Sequence, residues 1–235
     1  MADRDRPLYA VLIDADNIPA KYAGAILKEI TTFGEPALRR VYGDWSSGRL
    51  KNWSTAVRDL GLVAHQETAN TVGKNASDIG LVIDAMDILH TGRFDGFVLV
   101  SSDSDFTALA NRMREQGKDV IGVGEAKAPE SLRNVCNRFV LIENIVDEPQ
   151  PSEKGGSAKK RNPTEAVPLI IRAMDKINAE DEWYTLGQLG QYITRDTPDF
   201  DPRTYGKKKL SDLIEALARF ETQKVGNQLN VRRVD

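Results

Sequence analysis

Two pairs of aspartates close apolar runs in this chain. "YAVLIDADNIP" carries Asp14 and Asp16, and "VLVSSDSDF" carries Asp103 and Asp105. Carboxylates gathered within a few ångströms raise one another's pKa, and such clusters persist when a hard divalent cation neutralises them. Magnesium and manganese prefer oxygen ligands, so an all-aspartate set points to Mg2+ or Mn2+. Asp78, near the start of "SDIGLVIDAMD", is a third contributor. Ser77 before it reads as a helix N-cap, which would set Asp78 in the first helical turn and point it toward the same site. Asp84 and Asp87 lie further along. Asp84 is turned about 600° from Asp78 at ~100° per residue, so the two do not face one ion; both read as ordinary polar positions or partners for a nearby base. A competing use of such aspartates is capping the helix that follows a strand. Asp14 or Asp16 could cap the helix after Pro19, and Asp103 or Ser104 the one beginning near Phe106. Two D-x-D pairs together with Asp78 favour a shared acidic site over separate caps.

The surrounding pattern says how these residues would be held. "LYAVLIDA", "ALRRVYGDW", "LVAHQE", "GFVLVSS" and "DVIGVG" read as strands, and "RFVLIENI" as a sixth. Between them run "KYAGAILKEITTFG", stopped by Gly34, "KNWSTAVRDLG", stopped by Gly61, "ASDIGLVIDAMDILHTG", "DFTALANRMREQG" and "PESLRNVCN", all read as helices. In the third of these, Ile79, Val82, Ile83, Met86 and Leu89 fall at helical spacing and mark the expected apolar face. Strands alternating with helices predict βαβ units, hence an α/β fold with a Rossmann-like, mostly parallel sheet. Functional groups of such sheets collect beyond the carboxyl ends of the strands. Asp14, Asp16, Asp103 and Asp105 are all expected on that rim.

Composition narrows the setting. The 235 residues are 40% hydrophobic and 29% charged, as in a folded globular chain. No apolar run approaches the roughly 20 residues of a membrane span, and "MADRDRPLY" lacks the apolar core of a secretory signal. Cys136 is the lone cysteine. An intrachain disulfide is therefore excluded, and a cytoplasmic location is the expectation. Residues 1–150 hold 17 Lys and Arg against 22 Asp and Glu, and residues 151–235 hold 15 against 13. An acidic front half does not attract a polyanion by bulk charge, so any such contact must be local or cation-mediated. "DEPQPSEKGGSAKKRNP" is polar, with three prolines and two adjacent glycines, and reads as a flexible linker at 148–162 between domains at 1–147 and 163–235.

Taken in order, "VLIDADNIP", "KNASDIGLVIDAMD" and "VLVSSDSDFTALANRMREQGKDVIGVG" resemble the motif blocks of NYN domains, a branch of the PIN-like nucleases. The resemblance covers residues 8–145. It implies a PIN-like sheet, an aspartate cluster binding magnesium or manganese, and hydrolysis of RNA phosphodiesters. Carried onto this chain, Asp14 and Asp103 would be the central ligands, with Asp78 beside them, Asp105 completing the cluster and Asn17 holding a water or ligand. Arg49, Lys51 and Lys74, in expected loops, could contact phosphates. Trp45 and Trp53 read as packing residues in preference to base-stacking ones. "VLIDAD" also fits the opening of haloacid-dehalogenase-like phosphatases, with Asp14 as nucleophile and Asp16 as general acid, but Asn17 and the context of Lys74 depart from that pattern. A non-catalytic RNA-binding or regulatory adaptor with an inactive cluster is the other alternative.

Beyond the linker the character changes. Val167, Ile170, Ile171 and Met174 mark one helix, "TLGQLGQYITRD" a second, and "DPRTYGKKKLSDLIEALARF" a third. "ETQKVGNQLNVRRV" alternates around a Gly-Asn turn and reads as a hairpin. The sum predicts a small winged-helix-like α+β domain. Across residues 163–235 it resembles the LOTUS domain, also called OST-HTH, which implies RNA binding or, in some members, a protein partner. Arg203, Tyr205, Lys207, Lys208 and Lys209 form the basic, aromatic-bearing segment expected to grip phosphates and stack on a base.

Overall fold

The computed structural model describes residues 5–46, 48–66, 76–146, 160–177 and 182–234. The chain divides into two compact units, Met1–Asp147 and Glu148–Asp235. Of the linker expected at 148–162, only residues 160–162 lie among those described.

In the first unit six parallel strands form one sheet: β1 (Leu8–Asp14), β2 (Glu35–Gly43), β3 (Val63–Gln66), β4 (Gly96–Val100), β5 (Asp119–Gly124) and β6 (Arg138–Leu141). Their order is β3-β2-β1-β4-β5-β6. The chain winds outward from β1 in one direction, then returns through the middle to β4 and winds outward in the other. The reversal leaves a crevice between the carboxyl ends of β1 and β4. Both strands are buried on both faces, and alternate residues serve opposite cores. Val11 and Ile13 of β1 and Val98 and Val100 of β4 face α1 (Ala23–Ile30) and α2 (Lys51–Leu60). Ala10, Leu12, Phe97 and Leu99 face α3 (Ala76–His90), α4 (Thr107–Glu115) and α5 (Glu130–Val135). A central strand covered on both sides must read as a continuous apolar run, as both do.

Two helices differ from the sequence reading. The first begins as a 3-10 turn, Ala20–Tyr22, and ends at Ile30 rather than at Gly34. In α3 the buried face is Leu81, Ala85, Ile88 and Leu89, while Ile79 and Ile83 stand 61% and 59% exposed. The helix is apolar around most of its circumference, so periodicity could not choose its inward face; contact with β1 and β2 does. Ser77 lies inside the helix, not at its cap, and Asp78 falls in the first turn.

The second unit packs α6 (Val167–Ile177), α7 (Leu186–Asp196) and α8 (Leu210–Glu215) against a three-stranded antiparallel sheet. Its strands are β7 (Tyr184–Thr185), β8 (Phe220–Val225) and β9 (Gln228–Arg233), in the order β7-β9-β8. The β8–β9 hairpin is the expected one; β7 is an added short strand. The expected third helix is broken: Pro202–Tyr205 form a 3-10 turn closed by Gly206 at φ +73°, and α8 starts only at Leu210. No helix of the described residues is long and apolar enough to cross a membrane.

The two faces of α3 give a direct check. Leu81→Ala should cost about 2–5 kcal/mol of stability, whereas Ile83→Gln should change it by about 0.5 kcal/mol or less. Chemical denaturation of both variants tests this; equal losses would place Ile83 in the core.

Candidate functional site at the sheet crevice

Asp14 is the last residue of β1 and is 3% exposed. Its carboxylate organises the crevice. Oδ1 accepts the backbone N–H groups of Asp16 and Asn17, both at 3.1 Å. Oδ2 accepts the Ser101 hydroxyl at 2.9 Å. Ser101, directly after β4, in turn accepts the Asp103 N–H at 3.1 Å. Asn17 Oδ1 accepts the Ser102 N–H at 3.3 Å, and Ser102 Oγ accepts the Glu125 N–H at 2.8 Å, just beyond β5. One polar chain thus ties together the ends of three strands.

Two glycines allow this closeness. A methyl group at Gly124 would lie 2.6 Å from the Ser101 carbonyl oxygen and 3.0 Å from Ser102 Oγ, and one at Gly43 would meet Leu50 Cδ1 at 2.5 Å. Trp53, buried, donates its indole N–H to the Ile18 carbonyl at 2.9 Å and pins the far end of the first loop. Trp45 is also a packing residue, its indole N–H on the His65 carbonyl at 2.7 Å.

Around Asp14 the other carboxylates collect. Burial pushes the Asp14 carboxyl up to about 6; the Ser101 hydrogen bond opposes this, and the charges of Asp78 and Asp16 add to it. Asp78 is raised as well, by burial and then by Asp103, Asp105 and Asp16. Five aspartates from three separate segments therefore share one electrostatic environment, and the charges that raise Asp14 and Asp78 are carboxylates. Among the described residues no three acidic or imidazole groups already stand as a closed metal-binding set. The donors are all hard oxygens, partly desolvated and mutually repelling, which fits a hydrated Mg2+ or Mn2+ held by a few carboxylates and its own waters. Capping and clustering coexist here: Asp103 accepts the Asp105 N–H at 2.9 Å and caps the 3-10 turn Ser104–Phe106.

Asp84 takes no part. It is hydrogen-bonded to Arg40 and the Tyr42 hydroxyl. Burial alone would raise its carboxyl, but these two partners hold it below the ordinary value. Sequence reasoning placed Asp16 on the shared rim without a ligand role and missed Ser101, whose signal was its place in "SSDSD", directly after an apolar strand.

The basic residues fare differently. Lys51 is exposed at the start of α2. Lys74 and the Arg49 side chain lie outside the described residues. In the second unit, Tyr205 is corrected: it is 5% exposed, 5.9 Å from the Phe200 ring in the core, and presents no face to a base. Arg203 is engaged by the buried Asp201, which accepts its side chain at 2.6 Å and its backbone N–H at 2.8 Å. Lys208 and Lys209 are exposed and Lys207 half-exposed, on the segment between Gly206 and α8.

A family model described as NYN domain matches residues 9–143, more than half of the chain. The chain belongs to the NYN domain family. A second model, the OST-HTH/LOTUS domain, matches residues 159–231. These matches leave the phosphatase reading without support. An uncharacterised protein, MJ0482, of Methanocaldococcus jannaschii is 25% identical over 139 residues, 57% of this chain and 54% of its own length. The NYN chain thus spans about half of that relative. A protein of unknown function, VPA0982, from Vibrio parahaemolyticus aligns over 60% of this chain and 96% of its own, with 21% identity and a TM-score of 0.51, a likeness of fold. An uncharacterised protein of Nitrosomonas europaea is 31% identical over 38% of this chain and 89% of its own, at a TM-score of 0.28.

The raised Asp14 has a consequence for stability. A carboxyl near 3.8 in the unfolded chain and near 6 in the fold favours folding fully below 3.8 and loses that contribution as pH rises to 6. Metal-free protein should therefore gain stability on acidification from pH 6.5 to 4.5 relative to Asp14→Asn, by about 1–3 kcal/mol. Urea denaturation of both at the two pH values measures it; parallel pH dependences would place the Asp14 carboxyl at its ordinary value.

Proposed function

We propose that this NYN protein is a metal-dependent ribonuclease with an appended RNA-binding domain. The observation that carries the reading is the convergence of Asp14, Asp78, Asp103 and Asp105, with Asp16, at the crevice of the sheet, where Asp78 and Asp16 press on the Asp14 charge and Asp103, Asp105 and Asp16 on that of Asp78. Asp14, Asp78, Asp103 and Asp105 would hold Mg2+ or Mn2+, with Asn17 steadying the first loop through Ser102. When bound, such a cation lowers the pKa of a coordinated water and offsets the phosphodiester's charge. The chain's own part is geometric and acid–base. Ser101 and two backbone N–H groups fix Asp14, so it needs no reorganisation when substrate arrives. Asp105, exposed at the rim, takes the attacking water's proton. An acidic crevice repels RNA until it is loaded, which reconciles the acidic first unit with a polyanionic substrate.

In the second unit Lys207, Lys208 and Lys209 supply the phosphate contacts. The segment 148–162 acts as a tether that raises the local concentration of RNA at the crevice. The single cysteine, buried at position 136, is at home in the reducing cytoplasm.

Asp103→Asn should retain RNA binding and lose about 10²-fold or more in cleavage rate with Mg2+ or Mn2+. Cleavage of varied RNAs by neither protein, with equal binding by both, would favour the adaptor reading. Mn2+ should also raise the melting temperature of the wild type at pH 7.5 and much less at pH 5, where protons compete for Asp14. For the second unit, Lys208→Glu with Lys209→Glu should weaken RNA binding and reduce the salt slope by about 2. A filter-binding series over salt concentration reads it, and an unchanged slope would remove these lysines from the interface.

A further inference from the structure

A groove of about 810 Å3 opens beside the carboxylate rim, between the first loop, α1 and α2. It begins at Asp16 and Asn17, so it is continuous with the crevice. One wall is the face of α2 that carries Asn52, Thr55, Ala56 and Asp59, at helical spacing. The opposite wall carries Lys21 and Gly24. Gly24 gives the groove its width: a methyl group built there meets nothing within 4 Å. The floor is apolar, formed by Ile18, Leu50 and Trp53.

The lining offers a phosphate little: its one cation, Lys21, lies over the Tyr22 ring at 4.9 Å, and its carboxylates are Asp16 and Asp59, the latter paired with Arg58 at 3.0 Å. A volume in the range of small-molecule sites, an apolar floor and a rim of amide and hydroxyl groups suit a flat neutral ring with polar edges. Resting on the ribonuclease reading for the crevice, we propose that this groove is a base subsite: it receives the nucleobase of a nucleotide adjoining the scissile phosphate in single-stranded RNA. The phosphates stay at the metal-loaded rim, and the base leaves it for the groove. Asn52 and Thr55 address the base edge, and Gly24 admits the ring.

The test needs neither metal nor cleavage. Adenosine, guanosine, cytidine and uridine are titrated separately into the metal-free, isotope-labelled full chain, with ribose 5-phosphate as the base-free control. At least one nucleoside should shift the Gly24 and Asn52 amide resonances saturably at about millimolar concentration, and ribose 5-phosphate should not. Gly24→Leu should melt at or above the wild-type temperature, since it removes a helix glycine into open space, and should bind that nucleoside about tenfold more weakly or worse. Asn52→Ala, at an exposed position, should lose about threefold and carries the test if Gly24→Leu does not fold. Saturable binding of ribose 5-phosphate at the same resonances, no nucleoside binding, or wild-type affinity in the folded variants would overturn the proposal. Failure here leaves the ribonuclease reading standing, and absence of RNA cleavage leaves nucleoside binding standing, so the two are separable.

Discussion

The Asp14 carboxylate is almost wholly buried, and the loops around it are arranged by hydrogen bonds to its oxygens. Two backbone N–H groups close the first loop onto Oδ1, and Ser101 brings the end of β4 onto Oδ2. Burial makes this charge costly: a carboxyl held near 6 stores about 3 kcal/mol at neutral pH. The fold tolerates that cost because the sheet behind it is buried on both faces and rigid. The neighbouring aspartates add to the cost instead of relieving it. A cluster that repels itself in this way is poised for a cation, and the three segments that supply it are far apart in sequence.

The same constraint separates structural from chemical carboxylates. Asp84 is partly buried too, yet Arg40 and Tyr42 hold its charge and lower its pKa. It is paired and spent. The charges that bear on Asp14 and Asp78 are those of other acids, and Asp14 is met by the neutral donors Ser101 and two backbone N–H groups. Both residues lie on apolar elements beside the same sheet, and the presence or absence of a basic partner is what divides them. In the second unit the division recurs with opposite sign. Arg203 is tied to Asp201, whereas Lys208 and Lys209 stand in solvent on the stretch leading into α8.

Much of this was legible in the residues because the underlying signals are local. A continuous apolar run with an aspartate at or just beyond its end marks a central strand and its carboxyl end: β1 ends on Asp14, and β4 is followed by Ser101, Ser102 and Asp103. The order of motif blocks pointed to the NYN and LOTUS families. Local signals failed where two readings are energetically close. Helix α3 is apolar on nearly every side, so the pattern that includes Ile79 and Ile83 competes with the one that includes Leu81, Ala85 and Ile88. The basic segment after Asp201 was read as one helix across Gly206, but that glycine takes the left-handed conformation and ends the 3-10 turn, with Tyr205 in the core.

By itself, then, the sequence determined the alternation of strands and helices, the acidic residues at strand ends and the change of character after residue 147, since each depends on neighbours within a few positions. Tertiary structure alone decided that Ser101 bridges Asp14 to the Asp103 loop, that the partners of Asp84 are Arg40 and Tyr42, and that α1 and α2 part to form a groove. Those outcomes hang on contacts between residues 35 to 87 positions apart. Whether such groups meet is settled by strand order and by which face of each helix is buried, neither of which any short stretch of chain encodes.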